Sequence, residues 1–119
     1  MSPRDWRLSV QDMLDAISKI EQYVRGMSLA DFQADSKTVD AVAMNVTING
    51  EAANNVPDEA RALCPSVPWR KMRDIRSVLV HGYFGLRVAI LWETAVADLP
   101  PLVPMLSEML RLGDRPATD

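Results

Sequence analysis

An all-α fold is predicted for this 119-residue sequence: a bundle of four long helices, joined by short ones, with a kink in the last. Three observations predict it. Apolar residues recur at alternating steps of three and four along four stretches, the signature of one buried helical face. No stretch reads convincingly as a strand; Val46-Thr47-Ile48 would suit one, but the 3-4 periodicity around it favours helix. Glycine and proline fall at Gly26, Pro57, Pro65, Pro68 and Gly82, between those stretches, where helices stop.

The first helix carries Trp6, Val10, Met13, Ile17, Ile20 and Val24 as its stripe. Ser2 with Pro3 supplies a start of the usual type, and Gly26 a stop. Tyr23 lies beside the stripe and is expected to face a partner. Ser28 to Phe32 reads as a short capped turn, with Asp31 three residues after Ser28. A second long helix begins at Asp35 or Ser36 and runs to about Asn54. Val39, Val42, Ala43, Val46, Gly50 and Ala53 form its apolar face, Gly50 allowing close backbone approach. Pro57 to Cys64 is a short helix, and Pro65 to Pro68 a stiff connector. Pro68 or Trp69 opens the third long helix, whose core stripe is Met72, Ile75, Leu79 and Gly82. The last runs from about Arg87 to Leu112, and Pro100-Pro101 interrupts it. A sharp kink or two abutting helices is expected there, with Asp98 capping the restart. One domain over residues 1–112 and a flexible tail over 113–119 complete the expectation.

The composition is that of a globular protein, 48% apolar and 24% charged. The acidic pI near 5.1 argues against wholesale coating of nucleic acid. A single cysteine, Cys64, excludes an intramolecular disulfide and fits a reducing compartment. No run approaches eighteen apolar residues, and the start MSPRDWRLSV lacks the apolar core of a signal peptide. A cytoplasmic chain without membrane association is the expectation.

The charge is unevenly spread. Residues 68–87 hold five basic residues against one acid, whereas the rest of the chain holds eight against fifteen. Inside that basic stretch lies the only histidine, His81, with Arg76 five residues before it and Tyr83 two after. A metal centre is not expected, since there is neither a second histidine nor a carboxylate cluster in register. A phosphate loop is absent, because Gly82 and Gly85 follow a helix rather than a strand. Asp74, Ser77 and His81 share a face in steps of four and three, but a mid-helix serine has no strained elbow and no oxyanion hole. What remains is imidazole with guanidinium acting on phosphate. An imidazole moves protons near neutral pH, and an arginine fork stabilises charge on a pentacoordinate phosphorus. Together they cleave RNA without a metal or other cofactor, and the Tyr83 hydroxyl can bond the same phosphate. The blander alternative is a histidine capping a helix end beside a solvated basic face.

On an ideal helix Arg76 and His81 point about 140° apart. Either the helix ends at His81, or two copies contribute to one site across a symmetric interface. Arg73, Arg76, Val80 and Tyr83 form a second stripe suited to that interface.

Arg76, four residues, His81, one residue and Tyr83, then Phe84-Gly85, resembles the signature of HepT-like toxins in the HEPN superfamily. The ordered set Gly50-Glu51-Ala52-Ala53-Asn54, Pro57, Pro68-Trp69-Arg70, Leu91-Trp92-Glu93-Thr94 and Asp98-Leu99-Pro100 extends the resemblance over nearly the whole chain. It implies a HEPN-type helical bundle that homodimerises, bringing two Arg/His motifs into one cleft. It implies a metal-independent endoribonuclease toxin, with Arg76 and His81 catalytic and Arg73, Ser77, Tyr83 and Glu51 supporting. It implies as partner a minimal, MntA-like nucleotidyltransferase antitoxin that transfers AMP to Tyr83. Two positions depart from the family pattern. Ser77 stands where Asn, Asp or His commonly follows the arginine, and Ala43-Met44 stands where a charged pair often precedes Gly-Glu-Ala. The role of Glu51 stays open between a buried partner for Arg76 and a catalytic group. The alternative function is a non-catalytic helical module that pairs with a nucleotidyltransferase.

Overall fold

The computed structural model describes residues 5–82 and 88–113, and their side chains except those of 76–82. In order the helices are α1 (Trp6–Val24), α2 (Leu29–Ala34), α3 (Ser36–Asn54), α4 (Asp58–Arg61), α5 (Trp69–Gly82), α6 (Val88–Glu93) and α7 (Leu102–Gly113). There is no strand among the described residues, so the fold is all-α as expected.

The α1 stripe is buried as the spacing requires: Val10, Met13, Ile17 and Ile20 are fully enclosed, and Trp6 packs at the edge. The cap differs from expectation. Asp5 accepts a hydrogen bond from the Arg7 backbone N–H at 2.9 Å, while Ser2 and Pro3 lie outside the described residues. Gly26, with φ of 77°, turns the chain out of α1 in the left-handed region that glycine enters without strain. α2 is held by a reciprocal capping box: the Asp31 N–H donates to Ser28 Oγ and the Ser28 N–H to Asp31 Oδ2. Phe32 on α2 is completely buried, and its ring centroid lies 5.3 Å from that of Trp92 on α6.

α3 lies between α1 and α5 and packs on both. Asp35 caps its start, accepting from the Thr38 N–H (3.1 Å) and hydroxyl (2.8 Å). Those bonds, the backbone one foremost, hold the Asp35 carboxyl below its ordinary value. The predicted apolar face is buried at Val42, Ala43, Val46, Gly50 and Ala53, with Val39 packed against the core. Asn45 and Asn49 are buried beside it, a feature the apolar spacing does not announce. Each finds a partner, as burial of an amide demands. The Asn45 amide donates to the Ala41 carbonyl at 2.9 Å, and that of Asn49 reaches across to the Met13 carbonyl of α1 at 3.3 Å.

The last segment breaks at the two prolines. Neither Pro100 nor Pro101 has an N–H to give to the preceding turn. The chain answers by widening the end of α6 into a π-helical turn, Thr94–Asp98, closed by the Leu99 N–H on the Thr94 carbonyl at 3.0 Å. α7 then sets off at 53° to the segment before it. Asp98 does not cap that restart. It lies in the π turn and pairs with Lys71 of α5. Leu99, Leu102, Leu106 and Met109 are buried, and α7 packs along α1. Its final residue, Gly113, sits where an added Cβ would fall 2.7 Å from the Trp6 ring, so no side chain fits without displacing it. α7 thus runs one residue past the expected Leu112, and residues 114–119 lie outside the described set. No single helix among the described residues is long and apolar enough to cross a membrane.

Candidate functional site

The phase of α5 is set by its first turn. Val67 and Trp69 are buried, and the Trp69 indole N–H donates to the Cys64 carbonyl at 3.2 Å. The Met72 N–H reaches back to the Pro68 carbonyl at 3.1 Å, starting the helix at Trp69 as one of the two expected positions. With Trp69, Met72 and Ile75 turned to the core, 100° per residue forces the intervening charges outward. Arg70, Lys71 and Asp74 are exposed and Arg73 is half-buried.

The helix continues unbroken to Gly82. Its backbone therefore carries Ser77 and His81 on the same line as Arg70 and Asp74, and Arg76 on the line of Arg73, one turn on. Helix α5 ends one residue after His81, which is the first of the two arrangements the Arg76–His81 spacing left open. The side chains of Arg76, Ser77 and His81 fall outside the described residues, as does Tyr83 altogether. Of the predicted supporting residues, Arg73 is on α5 as expected. Glu51 is on an exposed part of α3, in a depression shared with Asp12, Ile48, Ala52 and Asn55, and not in the buried setting that one of its two readings required.

Two features escaped the sequence reading. One is the ion pair from Lys71 Nζ to Asp98 Oδ2, at 3.5 Å, which ties the first turn of α5 to the π turn. A lysine and an aspartate 27 residues apart give no local signal; only the Pro100-Pro101 break, by placing Asp98, hinted at it. The other is an open depression of about 670 Å³ beside that turn, lined by Pro68, Trp69, Arg70, Lys71, Asp74 and Ile75. Among the described residues no group of three or more histidine, cysteine, aspartate or glutamate side chains is placed to hold a metal ion.

Comparison with known proteins adds to this geometry. Residues 13–109 match the family model described as ribonuclease HepT-like. The chain is 41% identical over 93 residues to a "Probable ribonuclease HepT" of Thermococcus cleftensis, covering 78% of this chain and 84% of that protein. It is 30% identical over 111 residues to a protein of Methanocaldococcus jannaschii, covering 93% and 92% of the two chains. It is 32% identical over 102 residues to one from Caldanaerobacter subterraneus subsp. tengcongensis, covering 86% and 91%. The last two are named provisionally as RNases. No solved structure gives a significant match.

Proposed function

The chain belongs to the ribonuclease HepT-like family, and from that membership we propose that it is an endoribonuclease whose working groups are Arg76 and His81. The observation that carries the reading is the family match over residues 13–109, which includes both. The continuity of α5 to Gly82 supports it, since one rigid element then bears the whole basic motif.

In the proposed reaction a His81 imidazole takes the proton of a ribose 2′-hydroxyl. The freed oxygen attacks the adjacent phosphorus, the bond to the 5′-oxygen breaks, and an imidazolium gives that oxygen a proton. The products are a 2′,3′-cyclic phosphate and a 5′-hydroxyl end, and no metal takes part. Arg76 neutralises the charge that builds on the two non-bridging oxygens. A homodimer gives this scheme its second imidazole, so that one copy acts as base and the other as acid. Arg73, Ser77, Tyr83 and Glu51 are assigned to support, Ser77 donating one hydrogen bond from beside Arg76. The setting is the cytoplasm, the domain spans residues 1–112, and residues 113–119 form its tail.

Regulation follows from Tyr83. We assign it as the acceptor of AMP from an MntA-like nucleotidyltransferase encoded as the antitoxin of the pair. The phenolic oxygen takes the α-phosphorus of ATP and pyrophosphate leaves. The adduct puts bulk and negative charge where an RNA phosphate must lie. Intact-mass measurement after incubation with such a partner, ATP and Mg²⁺ should show AMP additions that vanish in Tyr83→Phe. Additions that persist in that variant would move the acceptor elsewhere.

The test of activity is RNA cleavage by the isolated protein in EDTA, with the new ends identified. Cyclic phosphate ends and loss of cleavage in both Arg76→Ala and His81→Ala are expected. Cleavage that survives both substitutions refutes the mechanism. An inactive wild type that still binds a nucleotidyltransferase would favour the non-catalytic module, a reading that Ser77 in place of a longer polar side chain keeps open.

A further inference from the structure

Three observations converge at the first turn of α5, three turns away from His81. Arg70 precedes His81 by eleven residues, so the two backbone positions lie within about 20° of one line and about 16 Å apart along the axis. The open depression of about 670 Å³ lies against that turn, walled by Pro68, Trp69 and Ile75, with Arg70 and Asp74 also on its lining. That volume is in the range of small-molecule sites. Arg70 is exposed and, among the described residues, is matched with no carboxylate. Its neighbour Lys71, by contrast, is drawn aside to Asp98. In a chain of net charge −3, a guanidinium left available at the edge of an apolar depression is a place for an anion with an apolar attachment.

We infer that the start of α5 is a second RNA subsite, in which Arg70 holds a backbone phosphate a few nucleotides from the scissile one and the depression receives the attached base. The inference rests on the reading of α5 as the RNA-cleaving helix, and extends its substrate from a single phosphodiester to a strand that follows the helix. Trp69 supplies a wall and not a stacking face, because it is only 8% exposed and its indole N–H is spent on the Cys64 carbonyl. Asp74 sits one turn after Arg70 on the same line, and its carboxylate repels a phosphate lying directly over it. The strand therefore passes on the side of Arg73, which continues from Arg70 towards Arg76.

The test uses the full chain and a fluorescent single-stranded 2′-O-methyl oligoribonucleotide, which has no 2′-hydroxyl to attack and so reports binding alone. In a salt titration Arg70→Ala should weaken binding and flatten the dependence of log affinity on log salt by about 0.7, the loss of one phosphate contact on a single strand. Arg70→Lys should keep that slope while binding less tightly than wild type, since an ammonium keeps the charge and loses the fork. Asp74→Asn should bind more tightly than wild type. Arg25→Ala, which removes an exposed charge at the end of α1, should change neither affinity nor slope. Arg70→Ala and Asp74→Asn proteins with wild-type affinity and slope would overturn the subsite, as would a wild type that does not bind the probe. The catalytic reading fails separately: a wild type that binds the probe through Arg70 and yet leaves unmodified RNA intact retains the subsite and loses the nuclease.

Discussion

The α1–α3 pair and α5 are built from the same 3-4 periodicity and use it differently. On α1 and α3 the buried stripe is full, and α3 adds two buried amides, so nearly every turn is occupied with holding the fold. On α5 the core is met by Trp69 and Met72 with Ile75 at its margin, and the outward half of the described turns is charged. A helix anchored along one edge has surface to spare for a ligand, whereas one buried along most of its turns does not. The difference separates the residues whose loss unfolds the protein from those whose loss should silence it.

The largest effects expected are on that division. Arg76→Ala and His81→Ala should each lower the rate of RNA cleavage by about 10²–10⁴-fold, the usual reach of a proton-transfer group or a charge-stabilising donor, with little change in thermal midpoint. Ile17→Ala should do the reverse. Its side chain is fully enclosed between helices, and the cavity should cost about 2–5 kcal/mol in urea unfolding, while the folded fraction cleaves at the wild-type rate. A large loss of stability in His81→Ala would show that α5 is part of the frame after all.

Much of this contrast was legible in the sequence because it is written in local spacing. The α1 stripe, the Ser28–Asp31 capping box, the start of α3 at Ser36 and the break at Pro100-Pro101 all follow from residues within a turn or two of each other. So does the basic island, since charge on a helix whose apolar stripe is known must face outward. What the sequence hid depends on chains that meet only after folding. The Asn49–Met13 bond spans 36 residues, and the Lys71–Asp98 pair joins elements whose approach is set by a π turn that no residue pattern announces. Ser2 was expected to start α1 where Asp5 caps the described helix, because either residue can accept the first free N–H and only the fold decides where the helix begins. Asp98 had the right residue type for a cap and the wrong position, four residues before α7 begins. For the site itself, the sequence named the chemistry through Arg76, His81 and Tyr83, while the depression beside Arg70 is a property of the assembled surface.

A smaller effect tests whether the buried amides of α3 belong to the frame in the same sense as its apolar stripe. Asn49 is 2% exposed, and its amide is the link from α3 to the Met13 carbonyl. Asn49→Ala removes that donor and leaves a void, and should cost about 1–3 kcal/mol. Asn49→Leu fills the space without the amide and should cost less, measured by the same urea unfolding. A leucine variant more stable than wild type would assign Asn49 to fixing how α1 and α3 align, at some expense of stability.

The smallest effect lies at the rim of the frame, where Asp35 starts α3. Its carboxyl is held below the ordinary value of 3.8 by the two bonds from Thr38. A carboxylate whose folded-state value is depressed contributes stability that is complete above its unfolded value and disappears as the pH falls through the folded one. Asp35→Asn keeps a capping side chain and removes the charge, so the comparison isolates the ionised form. Thermal midpoints should favour the wild type by a small, constant margin from neutral pH down to the unfolded value of 3.8, and the two curves should converge below it. RNA cleavage at neutral pH should be the same for both, since Asp35 is on the frame and α5 carries the proposed chemistry. A margin that instead opened or closed near pH 6.5, where an ordinary imidazole titrates, would trace to His81 and tie the stability of α3 to the protonation of the helix beside it.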